Sequence, residues 1–258
     1  EGPEELINRT SITQPILVLC SYLHYHKLVN TIDIASSYLA GHSLGEYSAL
    51  VAANSLSITE ALKLVRKRGE LMEAAPKGSM SAIMGLDYNI IDEICSIASQ
   101  GEHSHVQCAN LNSPNQTVIS GHDDAVLRAQ DLCTAKGAKR AVKLNVSIAS
   151  HSKLMLSVAD EFQKTLEAVK FNIPDTNIIH NVSVNSSTSS RDIPSLLVSQ
   201  LHSPVRWVET CNFISTLNLP IIECGPGKVL SSLFKGNKLE NYFSVTDEEF
   251  YEKISSYE

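Results

Sequence analysis

The stretch SSYLAGHSLGEYSALVAA, residues 36–53, sets the architecture of the chain. Residues 36–40 are typical of a short extended strand, and residues 46–53 are rich in helix formers and end at Asn54. A Gly-x-Ser-x-Gly pentapeptide lies between them, a pattern in which a sharp strand-to-helix turn leaves the serine hydroxyl exposed and disfavours side chains at the flanking positions. The order strand, glycine turn, helix predicts an α/β protein with Ser43 at the end of a strand.

Ser43 is the candidate nucleophile of this turn. A serine at the start of a helix can also be a plain N-cap, and the pentapeptide alone is only moderately specific. The position between a strand and a helix favours the nucleophile, because the helix N-terminus and the backbone N–H of Leu44 can stabilise an oxyanion there. We therefore interpret Ser43 as a nucleophile, with Leu44 supplying an oxyanion donor.

A serine nucleophile needs a base, and the chain has nine histidines. His151 lies where a predicted strand ends and a helix begins, while His180 lies on a predicted strand that has a buried pattern. Either position suits a general base. Spacing along the chain does not choose between them.

Arg68 is the more informative charged residue. A capping box at residues 57–60 opens a helix that Pro76 closes, and Arg68 falls on its core-facing stripe. A buried guanidinium is costly unless an anion pairs with it. The anion is either an Asp or Glu of the protein or the carboxylate of a substrate, and the nucleophilic serine favours the substrate. The stripe is formed by Ala61, Val65, Arg68, Met72 and Ala75.

The pattern changes between residues 79 and 147, where the predicted order is β-α-β-β-α-β, that of the ferredoxin-like split unit. We therefore predict a small ferredoxin-like subdomain over 77–147, inserted into a discontinuous, hydrolase-like α/β catalytic domain with a parallel-sheet core over 1–76 and 148–258. Its strands are predicted at 80–86, 106–111, 117–120 and 140–146, and its helices at 90–98 and 125–135.

Elements of the large domain are predicted from the same patterns. A first helix is expected over 13–29 with Pro15 in its first position, and a polar loop over 183–190. Further helices are expected at 151–169, 193–201, 207–217 and 229–235, and strands at 177–182 and 221–224.

The composition fits an ordinary globular protein, because 258 residues with 43% hydrophobic and 19% charged side chains can bury a large core. No apolar run approaches the roughly 18 to 20 residues of a membrane span, and residues 1–5 lack the features of a signal peptide, so we expect a cytoplasmic protein without a membrane partner.

Six scattered cysteines without a C-x-x-C pair indicate free thiols and no metal. A net charge of −7 argues against nucleic acid.

Several separated motifs resemble those of the bacterial malonyl-CoA:acyl-carrier-protein transacylases, the stand-alone type of fatty-acid synthesis. The likeness runs from Thr13 to about Lys235, and motifs in the same order are far more specific than the serine pentapeptide alone. They are GHSLGEYSAL at 41–50, RG at 68–69, NLNSP at 110–114, VSIASH at 146–151 and GPGKVL at 225–230.

The resemblance implies a role for each candidate. Ser43 would attack the thioester of malonyl-CoA, His151 would act as base and then as acid, and Arg68 would hold the free malonyl carboxylate. The backbone carbonyl of Gln200 would orient His151, and the phosphopantetheine thiol of acyl carrier protein would then take the malonyl group. The resemblance implies no cofactor, and we expect a monomer whose partners are malonyl-CoA and acyl carrier protein.

The resemblance also implies a segment ahead of the present first residue. The family begins with a strand and a Gly-Gln-Gly segment whose glutamine is a second oxyanion donor, so we expect this sequence to be incomplete at its N-terminus. One strand position of the large-domain sheet would then be unfilled.

Three other functions are weighed against malonyl transfer. A serine esterase or thioesterase is disfavoured because an enzyme for neutral esters has no reason to bury Arg68 beside its serine. Transfer of another acyl group is the second alternative, because the sequence does not give the size of acyl group that the pocket admits. Arg68 favours an acyl group that ends in a carboxylate. An inactive carrier-binding module is disfavoured by intact Ser43, Arg68 and His151.

A basic cluster is the candidate docking site for the acidic carrier protein, since the overall charge of this chain opposes association. We predict that the cluster lies near the cleft mouth, the alternative being a solvated turn and strand edge. It consists of Lys136, Lys139, Arg140 and Lys143.

Overall fold

The structure is a computed structural model that describes residues 3–33, 36–187 and 189–255. The predicted domain ends at residues 1–2 and 256–258 lie outside the described residues. The helices are α1 (Glu4–Ile7), α2 (Thr10–Thr31), α3 (Gly45–Ala52), α4 (Ile58–Ala74), α5 (Tyr88–Ala98), α6 (Asp123–Ala135), α7 (Leu156–Glu167), α8 (Ile193–His202), α9 (Trp207–Leu217), α10 (Val229–Gly236) and α11 (Phe250–Ser255). The strands are β1 (Tyr38–Ala40), β2 (Ser79–Met84), β3 (Val106–Ser113), β4 (Gln116–Gly121), β5 (Arg140–Lys143), β6 (Asn177–Ile179), β7 (Ser186–Ser187), β8 (Ile221–Glu223) and β9 (Tyr242–Ser244).

The fold is mixed α/β with parallel strand pairs. Strand β1 pairs in parallel with β6, and β7 adds to β6 in the antiparallel direction. Strands β8 and β9 form a second parallel pair. Helices α3, α4, α7 and α8 bury their apolar faces in one core around β6. Strand β1 pairs with β6, and α3 begins shortly after β1 ends. That core includes Tyr47, Leu50, Leu64, Phe162, Ile178 and Leu197.

A four-stranded sheet forms between α4 and α7 along the chain. Its strand order is β3-β4-β2-β5, every neighbouring pair is antiparallel, and α5 and α6 pack against it. This agrees with the predicted element order over 79–147. Strand β5 ends at Lys143 instead of residue 146, because the N–H of Val146 turns back to the carbonyl of Leu144 at 2.8 Å.

Helix α2 begins earlier than predicted. The expectation that Pro15 opens the helix is wrong, since Pro15 lies inside α2, which starts at Thr10. The start is fixed by a distant contact: the Glu73 carboxylate on α4 accepts from the Ser11 backbone N–H at 2.8 Å and from its hydroxyl at 3.0 Å. Gly69 allows this approach, because a Cβ there would lie 2.6 Å from the Ser11 Cα. Helices α2 and α4 therefore pack closely.

The polar loop predicted over 183–190 contains the two-residue strand β7, and residue 188 of that loop lies outside the described residues. Strand β9 was not predicted. Helix α10 starts where the Glu223 carboxylate accepts the N–H groups of Leu230 and Ser231, both at 2.8 Å.

A cavity of about 800 Å³ lies between β1 and β8. Within the described ranges, each of these strands pairs with another strand on one side only. The cavity reaches the serine turn, where Gly41, His42 and Leu44 line it. A helix with the length and apolarity needed for a membrane span does not occur among residues 3–33, 36–187 and 189–255.

Candidate active site

The serine turn joins β1 to α3 with Ser43 in a left-handed backbone conformation, at a φ of 50°. Gly41 is required on steric grounds, because a Cβ at that position would lie 1.9 Å from the carbonyl carbon of Gly45. A Cβ on Gly45 itself would meet no atom within 4 Å among the described residues outside its own helix backbone and chain neighbours. The expectation that both flanking positions exclude a side chain is therefore confirmed for Gly41 and wrong for Gly45.

Asn181 holds this turn from the neighbouring strand. Its buried side chain accepts the Ser43 backbone N–H at 2.6 Å and donates to the Gly41 carbonyl at 2.7 Å. Residue 181 follows β6, and the carboxyl ends of parallel strands meet at one edge of a sheet. Asn181 was not recognised from the sequence, because it falls inside the strand predicted at 177–182 and its partners lie in the distant serine turn.

His151 lies against the serine. Its Nε2 is 2.8 Å from Ser43 Oγ, and its Nδ1 is 2.7 Å from the Gln200 carbonyl oxygen. Nδ1–H therefore donates to Gln200, which leaves Nε2 to accept the Ser43 hydroxyl proton. Burial, and then the nearby charge of Arg68, lowers the His151 pKa from 6.5 to about 3. The imidazole is neutral at pH 7 and can accept a proton.

The other candidate histidine has a different partner. His180 Nδ1 lies 2.7 Å from the Glu46 carboxylate, and both side chains are buried. Of the two histidines that sequence spacing leaves open, the structure brings only His151 to hydrogen-bond distance from Ser43.

Arg68 reaches the same point from α4, with 2% of its surface exposed. Its guanidinium donates to Gln14 Oε1 at 3.0 Å and to Gln200 Oε1 at 3.2 Å, and it lies 3.4 Å from Ser43 Oγ. Within the described ranges, Arg68 Nε has no hydrogen-bond partner and no Asp or Glu forms an ion pair with this guanidinium. The alternative of an internal salt bridge is thus not observed there.

The Gln200 side chain links these groups, beyond the backbone role expected from its carbonyl. Its amide nitrogen donates to the Ser43 carbonyl at 3.0 Å and to the Glu46 carboxylate at 2.6 Å, while its oxygen receives Arg68. Glu46, Gln14 and the Gln200 amide were not recognised from the sequence, because each acts through residues far along the chain.

Leu44 occupies the position expected of an oxyanion donor, at the N-cap of α3. Its backbone N–H makes no hydrogen bond to another backbone group among the described residues. The amide is therefore available to a ligand oxygen beside Ser43. No group of three or more His, Cys, Asp or Glu side chains that could hold a metal ion occurs in the described part of the chain.

A serine hydroxyl bonded to a neutral histidine, beside a buried cation at one strand-to-helix turn, is an arrangement that can carry out acyl transfer. Residues 1–234 match the acyl transferase domain, and the chain belongs to this acyltransferase family.

Within the family, the chain is similar to malonyl CoA-acyl carrier protein transacylases. It is 44% identical to that of Haemophilus influenzae over 240 residues, 91% of this chain and 76% of the relative. The solved structure of the transacylase of Coxiella burnetii shares 38% identity at a TM-score of 0.94, covering 98% of this chain and 81% of that one. A malonyl-transacylase solved in complex with a type II polyketide acyl-carrier protein shares 43% identity at a TM-score of 0.90, covering 95% and 79%.

Proposed function

We propose that the protein transfers a malonyl group from malonyl-CoA to the phosphopantetheine thiol of acyl carrier protein, as in fatty-acid biosynthesis, through a malonyl ester on Ser43. The observation that carries this proposal is the buried Arg68 guanidinium, which lies 3.4 Å from Ser43 Oγ and has no carboxylate partner in the described ranges. A substrate carboxylate would supply the missing anion.

Acylation begins with the Ser43 hydroxyl. His151 Nε2 takes its proton as Oγ attacks the thioester carbon, and the sulfur of coenzyme A leaves as the tetrahedral intermediate collapses. The protonated imidazole returns the proton to that sulfur. The Gln200 carbonyl holds Nδ1–H throughout and stabilises the imidazolium, so no acidic third member is needed.

The second half-reaction reverses these roles. The phosphopantetheine thiol gives its proton to His151 and attacks the malonyl ester, and Ser43 Oγ leaves and regains the proton. In both halves the Leu44 N–H faces the developing oxyanion, with the N-terminus of α3 behind it. Arg68 binds the malonyl carboxylate and fixes the acyl group for attack.

Carrier docking is proposed at the basic cluster. Arg140 on β5 pairs with Met84 on β2, and Met84 pairs with Gln116 on β4, which lines the cavity at the serine turn. Two strand spacings separate Arg140 from Gln116, about 10 Å. Lys143, at the other end of β5, is held by Asp123 at 3.0 Å. Lys136, Lys139 and Arg140 are thus the members that suit an acidic carrier.

The finer architecture is also proposed. The sheet order β3-β4-β2-β5 with two helices supports a ferredoxin-like subdomain over 77–147 within a hydrolase-like domain over 1–76 and 148–258. We propose that the protein acts as a cytoplasmic monomer and that the reaction needs no cofactor, since Ser43, His151 and Arg68 supply nucleophile, base and carboxylate binding.

Mass spectrometry of the protein after brief incubation with malonyl-CoA tests the function. We expect a malonyl adduct on Ser43 that disappears when phosphopantetheinylated carrier protein is added, and none on Ser43→Ala. Release of malonate without an adduct or transfer would favour a hydrolase. Neither adduct nor release would favour an inactive binding module.

A further inference from the structure

We infer that Gln107 is a positioning residue, which ties together the two chain segments that hold His151 against Ser43. The inference rests on the proposed function, because it concerns how the general base of that reaction is held. Gln107 lies on β3, in the four-stranded sheet, outside the group of residues that hydrogen-bond to Ser43.

The Gln107 amide is fully engaged. Its nitrogen donates to the backbone carbonyls of His151 and His202, both at 3.1 Å. Its oxygen accepts the Lys153 backbone N–H at 3.2 Å and lies 3.3 Å from His105 Nε2. One side chain thus bonds to the segment that carries the imidazole, at 151–153, and to the segment that follows the orienting carbonyl, at 200–202.

His151 depends on such external bonds. Its φ of 57° lies in the left-handed region, which a residue with a side chain occupies only when neighbouring contacts hold it. Its backbone N–H donates to the Leu201 carbonyl at 2.9 Å, and its Nδ1 to that of Gln200. With the Gln107 amide, these bonds close a small network around the imidazole.

Few other residues could replace Gln107. Leucine matches its size but offers no donor, so two backbone carbonyls would lose their partner. Glutamate keeps the acceptor for the Lys153 N–H and loses both donors. Asparagine is shorter by one methylene and cannot span both segments.

The experiment compares the parent protein with Gln107→Leu and Gln107→Glu. Gln130→Leu is the matched control, the same change on α6 away from the serine turn. The rate constant of malonyl-Ser43 formation is measured in single turnovers over a range of malonyl-CoA concentrations and from pH 5.5 to 8.

We expect both Gln107 variants to form the adduct about 10- to 100-fold more slowly, because a misplacement of about 1 Å can cost that much. The half-saturating malonyl-CoA concentration should stay within about twofold, since Arg68 is untouched. The rate of the variants should also fall below about pH 6.5, as water reaches the imidazole and its pKa returns toward 6.5. The parent and the control should show no such fall.

A second readout does not require activity. The Nδ1–H proton of His151, held at the Gln200 carbonyl, should give a downfield imidazole resonance in nuclear magnetic resonance spectra of the parent that broadens or is lost in both variants. An unchanged resonance with parental acylation rates would overturn the inference, as would a loss confined to thermal stability. If the parent shows the resonance but forms no adduct, and both Gln107 variants lose the resonance, the proposed function fails and the positioning role stands.

Discussion

Replacement of Arg68 by methionine tests the carboxylate clamp. Methionine keeps the length of an unbranched side chain and removes the charge, so the core around α4 stays filled. In the variant, a malonyl carboxylate would enter the site without its cation. Breaking one side of a buried, hydrogen-bonded charge pair costs about 3–5 kcal/mol.

That cost converts directly to a rate. At about 1.36 kcal/mol per factor of ten, kcat/KM for malonyl-CoA should fall by roughly 150- to 5,000-fold. Acetyl-CoA brings no carboxylate to Arg68, and its rate should hold or rise. The preference for malonyl over acetyl should therefore invert or vanish.

Acylation of Ser43 by each thioester, followed by intact-protein mass spectrometry, measures that ratio. Arg66→Met is the control, because Arg66 lies on the exposed face of the same helix in an ion pair with Glu70 at 3.1 Å, a contact worth about 0–1 kcal/mol. A variant that keeps the malonyl preference would refute the clamp. Equal loss with both thioesters, together with a lower melting temperature, would assign Arg68 a structural role.

Three further changes have defined outcomes. The His151 pKa is about 3 in the folded protein and about 6.5 in the unfolded chain, so the unfolded state gains a proton first and stability falls as pH drops from about 6.5 toward 3. The free energy of unfolding measured in urea should decline less between pH 7 and 5 for His151→Asn than for the parent. Equal declines would contradict this. Ser57→Ala removes the N-cap that accepts the Glu60 N–H at 3.2 Å. The free energy of unfolding should fall by about 1 kcal/mol in thermal unfolding, and the malonyl-to-acetyl ratio should stay unchanged. An unaltered melting temperature would show that the cap contributes nothing. Lys139→Glu combined with Arg140→Glu should raise KM for the carrier protein several-fold while acylation from malonyl-CoA is spared, and unchanged carrier kinetics would rule out this docking site.

The features of the fold that the sequence predicts correctly are those set by residues close together in the chain. The N-cap at Ser57 and the element order over 79–147 depend on neighbours in the chain, and the structure has both. The two- and three-residue strands β7 and β9 were missed, because so short a strand is defined by its pairing partner. The start of α2 was misplaced for a similar reason: Ser11 is held by Glu73, 62 residues away.

The residues of the candidate site also separate into those that one element reveals and those that depend on distant contacts. Ser43 and Arg68 could be proposed from the sequence because a tight turn and a charge on an apolar stripe are visible within one element. Spacing could not separate His151 from His180, since the choice depends on which imidazole the fold turns toward Ser43: His151 faces its hydroxyl, whereas His180 faces Glu46. Asn181 stayed invisible for the same reason, as its role is set by a backbone that lies 138 residues earlier.

The unequal glycines of the serine turn have a consequence for directed evolution. Gly41 faces the backbone of Gly45 with no room for a methyl group, so libraries that randomise it should yield mostly inactive clones. Gly45 points into open space at the cavity wall, and alanine there also favours the helix. Gly45 is therefore a position in this pentapeptide that should accept a larger side chain while the backbone of the serine turn is kept.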